Sequence, residues 1–138
     1  MTDQDSRLLR VLAVDDEAPA RAELAYLLDR DPRVGSVLTA GDGMEALRLL
    51  ETEQVDALFV DIRMPGLDGL DLARVLRRFA SPPAVVFVSA YDSHAVEAFA
   101  LRAVDYVMKP VREERLTEAV RRVDEARALA ATPTAAAP

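Results

Sequence analysis

Ala84-Val85-Val86-Phe87-Val88-Ser89 is the stretch on which the fold turns. Its unbroken apolar run suits a strand covered on both faces, the signature of a parallel sheet sandwiched between helices. Ser81-Pro82-Pro83 breaks the chain just before it. Working outward, the neighbouring segments alternate between short apolar runs and amphipathic helices.

Upstream, Asp68 is placed to cap a helix running through Leu72, Val75 and Leu76. Before it lie a loop with Met64-Pro65-Gly66 and a third strand, Ala57 to Val60, with Asp61 at its carboxyl end. Earlier still come a strand from Arg10 to Val14, a helix from about Ala18 with Pro19 in its first turn, a strand from Val34 to Ala40, and a helix from Glu45 to Glu53. Gly41-Asp42-Gly43 lacks the third glycine of a nucleotide loop and reads as a turn. Downstream, Asp92 or Ser93 can cap a helix through Val96, Phe99 and Leu101. Val104 to Met108 forms a fifth strand, and a last helix starts near Arg112 with Leu116, Val120 and Val123 at helical spacing. Five strands alternating with five helices predict an α/β fold, a doubly wound parallel sheet with right-handed crossovers. Residues 1–8 read as an N-terminal tail, 9–128 as the domain, and 129–138 as a low-complexity tail or linker.

Composition narrows the class. The chain has 138 residues, one domain's worth, with 51% hydrophobic and 30% charged residues. No apolar stretch approaches the roughly 18 residues that span a bilayer, and the polar, acidic Met1–Ser6 does not read as a signal peptide. Cysteine is absent, which excludes disulfides and thiolate metal sites and fits a cytoplasmic location. With a net charge of −7 and scattered arginines, the chain is not expected to grip nucleic acid by itself. Of the 17 basic residues only Lys109 is lysine.

In doubly wound sheets, chemistry sits beyond the carboxyl ends of the strands, where strand order reverses. Asp15 and Asp16 follow the first strand, Asp61 ends the third, Ser89 ends the fourth and Lys109 follows the fifth. A strand order of 2-1-3-4-5 brings these side chains to one rim. Two unit charges about 4 Å apart repel by roughly 4 kcal/mol at an effective dielectric near 20. Three gathered carboxylates therefore call for a hard divalent cation, Mg²⁺ above all, with Lys109 offsetting a further charge. Such a constellation suits phosphoryl transfer, which needs positioning and charge neutralisation more than covalent work. A carboxylate is a competent acceptor and yields an acyl phosphate.

The chain resembles response regulator receivers of two-component systems. The resemblance rests on Val14-Asp15-Asp16-Glu17, on Val60-Asp61-Ile62-Arg63-Met64-Pro65-Gly66-Leu67-Asp68-Gly69, on Ser89-Ala90 and on Asp105-Tyr106-Val107-Met108-Lys109-Pro110, and it covers roughly Leu9 to Val123. The stretch Val86 to Asp92, with Ala98-Phe99 and Ala103 to Tyr106, is most similar to receivers that precede LytTR DNA-binding domains. The resemblance implies a flavodoxin-like fold and a role for each position. Asp61 would accept the phosphoryl group. Asp16, Asp61 and the backbone carbonyl of Arg63 would ligate Mg²⁺, with Asp15 acting through water. Ser89 and Lys109 would contact the phosphoryl group, and Ser89 and Tyr106 would act as switch residues. It also implies a cis peptide at Lys109-Pro110, and room for the phosphoryl group beside the small Ala90. Arg63 and Tyr91 stand at variable flanking positions, where their bulk can hinder water attack.

The sole histidine, His94, has no visible partner, and no nucleotide loop is present, so the phosphate donor would be a separate histidine kinase or phosphotransfer protein. The chain would promote its own phosphorylation and dephosphorylation without being a turnover enzyme. Phosphorylation would reshape the face made by the fourth helix, fifth strand and fifth helix, favouring a homodimer or releasing an output domain that regulates transcription. DNA would be reached only through that output domain, and no membrane would be involved. Two other readings compete with this one. An aspartate-nucleophile phosphatase needs acids spaced by one residue on the first strand, for which Asp15 and Glu17 are a poor substitute. A pseudo-receiver serving only as a binding module is disfavoured by the intact acids, hydroxyl and lysine.

Overall fold

The structure is a computed structural model that describes residues 7–131. Along the chain it forms β1 (Leu9–Val14), α1 (Ala18–Asp29), β2 (Val34–Ala40), α2 (Gly43–Thr52), β3 (Ala57–Asp61), α3 (Gly69–Leu76), β4 (Ala84–Ser89), α4 (Ala95–Ala100), β5 (Asp105–Met108) and α5 (Glu113–Ala131). The sheet is parallel throughout, in the order β2-β1-β3-β4-β5, so the expected doubly wound architecture is present. The readings for 1–6 and 132–138 lie outside the described residues. α5 continues to Ala131, three residues beyond the boundary drawn at 128.

Two apolar clusters explain why the strands read as unbroken runs. Val11, Ala13, Phe59, Val86 and Val88 face a cluster with Leu24, Leu28, Leu116, Val120 and Val123 of α1 and α5. Leu12, Val14, Leu58, Val60 and Phe87 point to the other face, against Ala46, Leu70, Leu72, Ala73, Leu76 and Ala98 of α2, α3 and α4. Strand side chains alternate with period two, so a strand covered on both sides has no position to spare for a polar residue. Full burial of each large apolar side chain contributes about 1.5–3 kcal/mol. Among the described residues no helix is long and apolar enough to cross a membrane.

Helix starts differ from the sequence reading where caps decide them. α2 begins at Gly43 rather than Glu45, because the Asp42 carboxylate accepts the Glu45 N–H at 2.8 Å while the Glu45 side chain accepts the Gly41 N–H at 2.8 Å. Asp68 caps α3 as expected, in a reciprocal box with Asp71. α4 corrects two expectations. It is a six-residue helix whose N-cap is His94, and neither Asp92 nor Ser93 caps it with a side chain. Its Val96 and Phe99, expected at helical apolar spacing, are each 84% exposed, while Ala98 alone turns fully inward. α4 closes in a Schellman motif, with Ala103 N–H on the Ala98 carbonyl and Arg102 N–H on that of Phe99. Arg102 fills its left-handed position at φ 63°, where glycine is usual.

Candidate phosphoryl-acceptor site

The carboxyl ends of β1, β3, β4 and β5 converge on one rim. Asp15 leaves β1 almost fully buried, Asp61 closes β3, Ser89 closes β4 and is completely buried, and Lys109 follows β5. The strand order places β1 beside β3, which is why acids 46 residues apart in sequence become neighbours. Oxygens of Asp15, Asp16 and Asp61 lie within 4.8 Å of one another. The Lys109 ammonium donates to Asp15 Oδ2 at 2.8 Å and to Asp61 Oδ2 at 2.9 Å. The lone lysine of the chain thus bridges two of the three clustered carboxylates.

Backbone hydrogen bonds fix these side chains. Asp15 Oδ1 accepts the Glu17 N–H at 2.9 Å, and Asp61 Oδ1 accepts the Arg63 N–H at 3.1 Å. A guanidinium N–H of Arg21, a residue that sequence reasoning did not single out, donates to the Asp15 carbonyl at 2.8 Å. Gly69 matters for a steric reason: a Cβ there would stand 2.4 Å from the Asp61 carbonyl oxygen and 2.9 Å from Ile62 Cα. Only a glycine lets the start of α3 press against the strand end that carries Asp61. The peptide between Lys109 and Pro110 is cis, as the resemblance implied.

Electrostatics follow from burial against pairing. Burial pushes the Asp61 carboxyl above its ordinary range, and the Lys109 ammonium and the Arg63 N–H offset this only in part. For Lys109, burial works to lower the pKa, but hydrogen bonds and charge from Asp15 and Asp61 outweigh it and hold the ammonium protonated above its usual range. The donor set is all oxygen, clustered and anionic, which fits a hard divalent cation such as Mg²⁺ and excludes soft-metal chemistry. Asp15, Asp16 and Asp61 are the side chains able to hold it.

A second layer joins the site to the last strand. Tyr91 N–H donates to Ser89 Oγ at 3.1 Å, and Lys109 N–H donates to the Ser89 carbonyl at 2.8 Å. The Tyr106 hydroxyl donates to the Tyr91 carbonyl, and its ring lies tilted against Phe87 at 6.4 Å between centroids. The Arg63 guanidinium stacks 4.6 Å above the Tyr91 ring. Below Tyr106, buried Asp105 is held by Arg115 at 2.7 and 2.8 Å and by Arg122 at 3.2 Å, a lock between β5 and α5 that the sequence reading missed. The i+10 and i+17 spacing of those arginines carries no helical or strand signature that would have revealed it.

Comparison with known proteins agrees with the fold. The family model described as response regulator receiver domain covers residues 11–121. The transcriptional regulatory protein YpdB of Escherichia coli (strain K12) is 41% identical over 118 residues, 86% of this chain and 48% of that protein. The sensory transduction protein LytT of Bacillus cereus is 40% identical over 115 residues, 83% of this chain and 47% of that protein. Among solved structures, the response regulatory domain of protein mrkE from Klebsiella pneumoniae superposes with a TM-score of 0.80 at 38% identity, covering 88% of this chain and 99% of that one. The chain spans about half the length of the curated relatives it matches.

Proposed function

The chain belongs to the response regulator receiver domain family, and from that premise we propose that it accepts a phosphoryl group on Asp61 in a Mg²⁺-dependent reaction. The observation that carries this reading is the Lys109 ammonium bridging Asp15 and Asp61 within a three-acid cluster at the sheet rim. An Asp61 carboxylate oxygen attacks the donor phosphorus. The bond from phosphorus to the donor imidazole breaks as the acyl phosphate forms, and the histidine recovers its electron pair. Lys109 follows the charge from carboxylate to phosphoryl oxygen, and the Ser89 hydroxyl donates to another oxygen. Asp15, Asp16, Asp61 and the Arg63 carbonyl would hold the metal, which when bound would supply charge neutralisation of the phosphoryl oxygens. The donor is a separate histidine kinase or phosphotransfer protein.

The consequence is a switch and not steady turnover. A phosphoryl group adds about −1.5 to −2 of charge at the rim, Ser89 turns toward it, and Tyr106 follows. The face of α4, β5 and α5 then changes. Val96 and Phe99 already stand out from it, each 84% exposed, beside a groove of about 430 Å³ lined in part by Tyr106 and Arg122. That face serves a homodimer or an output domain. In a longer protein the output is a LytTR-type DNA-binding domain acting on transcription, reached through a linker after α5, and the whole works in the cytoplasm. Incubation with acetyl phosphate and Mg²⁺ should add one phosphate to the intact mass. The reading fails if no phosphate is added, or if Asp61→Asn is labelled as well as the wild type.

A further inference from the structure

We propose that Arg63 senses the charge on Asp61 and passes the change to Tyr106 through Tyr91; the proposal rests on the reading of Asp61 as phosphate acceptor. Tyr91 is the meeting point of three contacts. Its ring carries the Arg63 guanidinium at 4.6 Å, its N–H donates to Ser89 Oγ at 3.1 Å, and its carbonyl accepts the Tyr106 hydroxyl. Arg63 is tied to the acceptor as well, through its own N–H on Asp61 Oδ1 at 3.1 Å. One end of the relay therefore hangs on the reacting carboxylate and the other on the last strand.

The Arg63 side chain has no acid partner among the described residues, although the chain carries 24 acids against 17 bases. It is held by an aromatic face that is itself 50% exposed, a weak hold in water. A phosphoryl group two residues away offers charge-assisted, bidentate hydrogen bonds, roughly twice as strong as neutral ones. The guanidinium leaves the ring for the phosphate. Tyr91 then loses one of the three contacts that hold it in the loop, and the carbonyl that holds the Tyr106 hydroxyl gains freedom to move. Charge on Asp61 thus reaches Tyr106 by a route additional to the Ser89 hydroxyl, and it depends on this arginine and this tyrosine facing one another.

The three tyrosines of the chain, Tyr26, Tyr91 and Tyr106, make the test direct when ring-¹³C tyrosine is incorporated and signals are assigned by Tyr→Phe variants. In the protein without metal or phosphodonor, Arg63→Ala should change the ratio of hydroxyl-bound to released Tyr106 by about two- to fivefold, with Tyr26 on α1 unmoved. Unchanged Tyr106 signals overturn the relay. With acetyl phosphate and Mg²⁺, the wild-type Tyr91 signals should move to those of Arg63→Ala; Tyr91 signals that stay fixed while intact mass shows phosphate on Asp61 overturn the charge-sensing step. Absence of phosphate on Asp61 in both proteins refutes the acceptor reading and with it the charge sensing. The metal-free comparison still judges the Tyr91–Tyr106 coupling in that event.

Discussion

Replacing Lys109 with methionine keeps the length of the side chain and removes its charge, and the structure fixes what should follow. The ammonium stands 2.8 Å from Asp15 Oδ2 and 2.9 Å from Asp61 Oδ2, while the acids lie within 4.8 Å of one another. At an effective dielectric near 20, the two acids repel by about 3 kcal/mol at that distance. In the wild type the lysine cancels this; in the variant nothing does. The Asp15 side chain is 2% exposed and that of Asp61 12%, so water screens little of it, whereas the lysine is 23% exposed and part of its attraction is already lost to solvent. Breaking a buried pair costs about 3–5 kcal/mol, and the partial exposure of Lys109 lowers the expectation to about 2–4 kcal/mol at pH 7.5 without Mg²⁺. For a domain of this size that corresponds to a fall in Tm of roughly 8–15 °C.

The pH dependence identifies the cause. In Lys109→Met the Asp61 carboxyl, already pushed up by burial and now without the ammonium that offsets it, titrates in the folded state above its unfolded value of about 3.9. Between those pH values the folded state binds more protons, so stability is lost as pH rises through the folded pKa and regained on acidification. Calorimetric melts at pH 5 and pH 7.5 should show the gap to wild type narrowing at pH 5, and millimolar Mg²⁺ should narrow it at pH 7.5. A gap of equal size at both pH values, unaffected by Mg²⁺, would refute the electrostatic reasoning and assign the loss to packing of the lysine stem.

Other substitutions test the frame around the site. Gly69→Ala forces a Cβ to within 2.4 Å of the Asp61 carbonyl oxygen; denaturant unfolding should show a loss of about 1–3 kcal/mol, with labelling by acetyl phosphate reduced as Asp61 is displaced. Asp105 is pushed up by burial, but hydrogen bonds from Arg115 and the Tyr106 N–H, with the charge of Arg115 and Arg122, more than reverse this and hold its carboxyl below the usual range. Its stabilisation is therefore present above about pH 4 and fades as pH falls through the folded pKa. Asp105→Asn should cost about 1–3 kcal/mol at pH 7, with the difference from wild type shrinking in melts below pH 4. Arg102→Gly, which relieves a left-handed residue at φ 63°, should raise stability by up to about 1 kcal/mol in urea titration. Phe87→Ala removes a fully buried ring and should cost about 3–5 kcal/mol by the same measurement.

Much of the molecule was legible in the chain because its signals are local. Val85 to Val88 without a polar break announced a strand covered on both faces, and Asp68 ahead of Leu72, Val75 and Leu76 announced the start of α3. Asp15, Asp16, Asp61, Ser89 and Lys109 each stand at or just past a strand end, so the strand assignment alone brought them to one rim. Helix starts depend on caps: a cap is a hydrogen bond, and Asp42 outcompetes the apolar pattern in setting the first residue of α2. α4 misled for a different reason. Val96 and Phe99 have helical spacing, but spacing cannot tell a face that meets the core from one left open for a partner.

The order of residues by itself determined the alternation of strands and helices, the doubly covered sheet, and which acids and which lysine would share a rim, because period and chain order settle these before any side chain meets another. Only the tertiary structure decided that Lys109 joins Asp15 to Asp61, that Gly69 must lie against the Asp61 backbone, that Asp105 is clasped by two arginines of α5, and that Tyr91 links Arg63, Ser89 and Tyr106. Those are contacts between distant segments, set by strand order and by side-chain distances of a few ångströms. No local pattern encodes them.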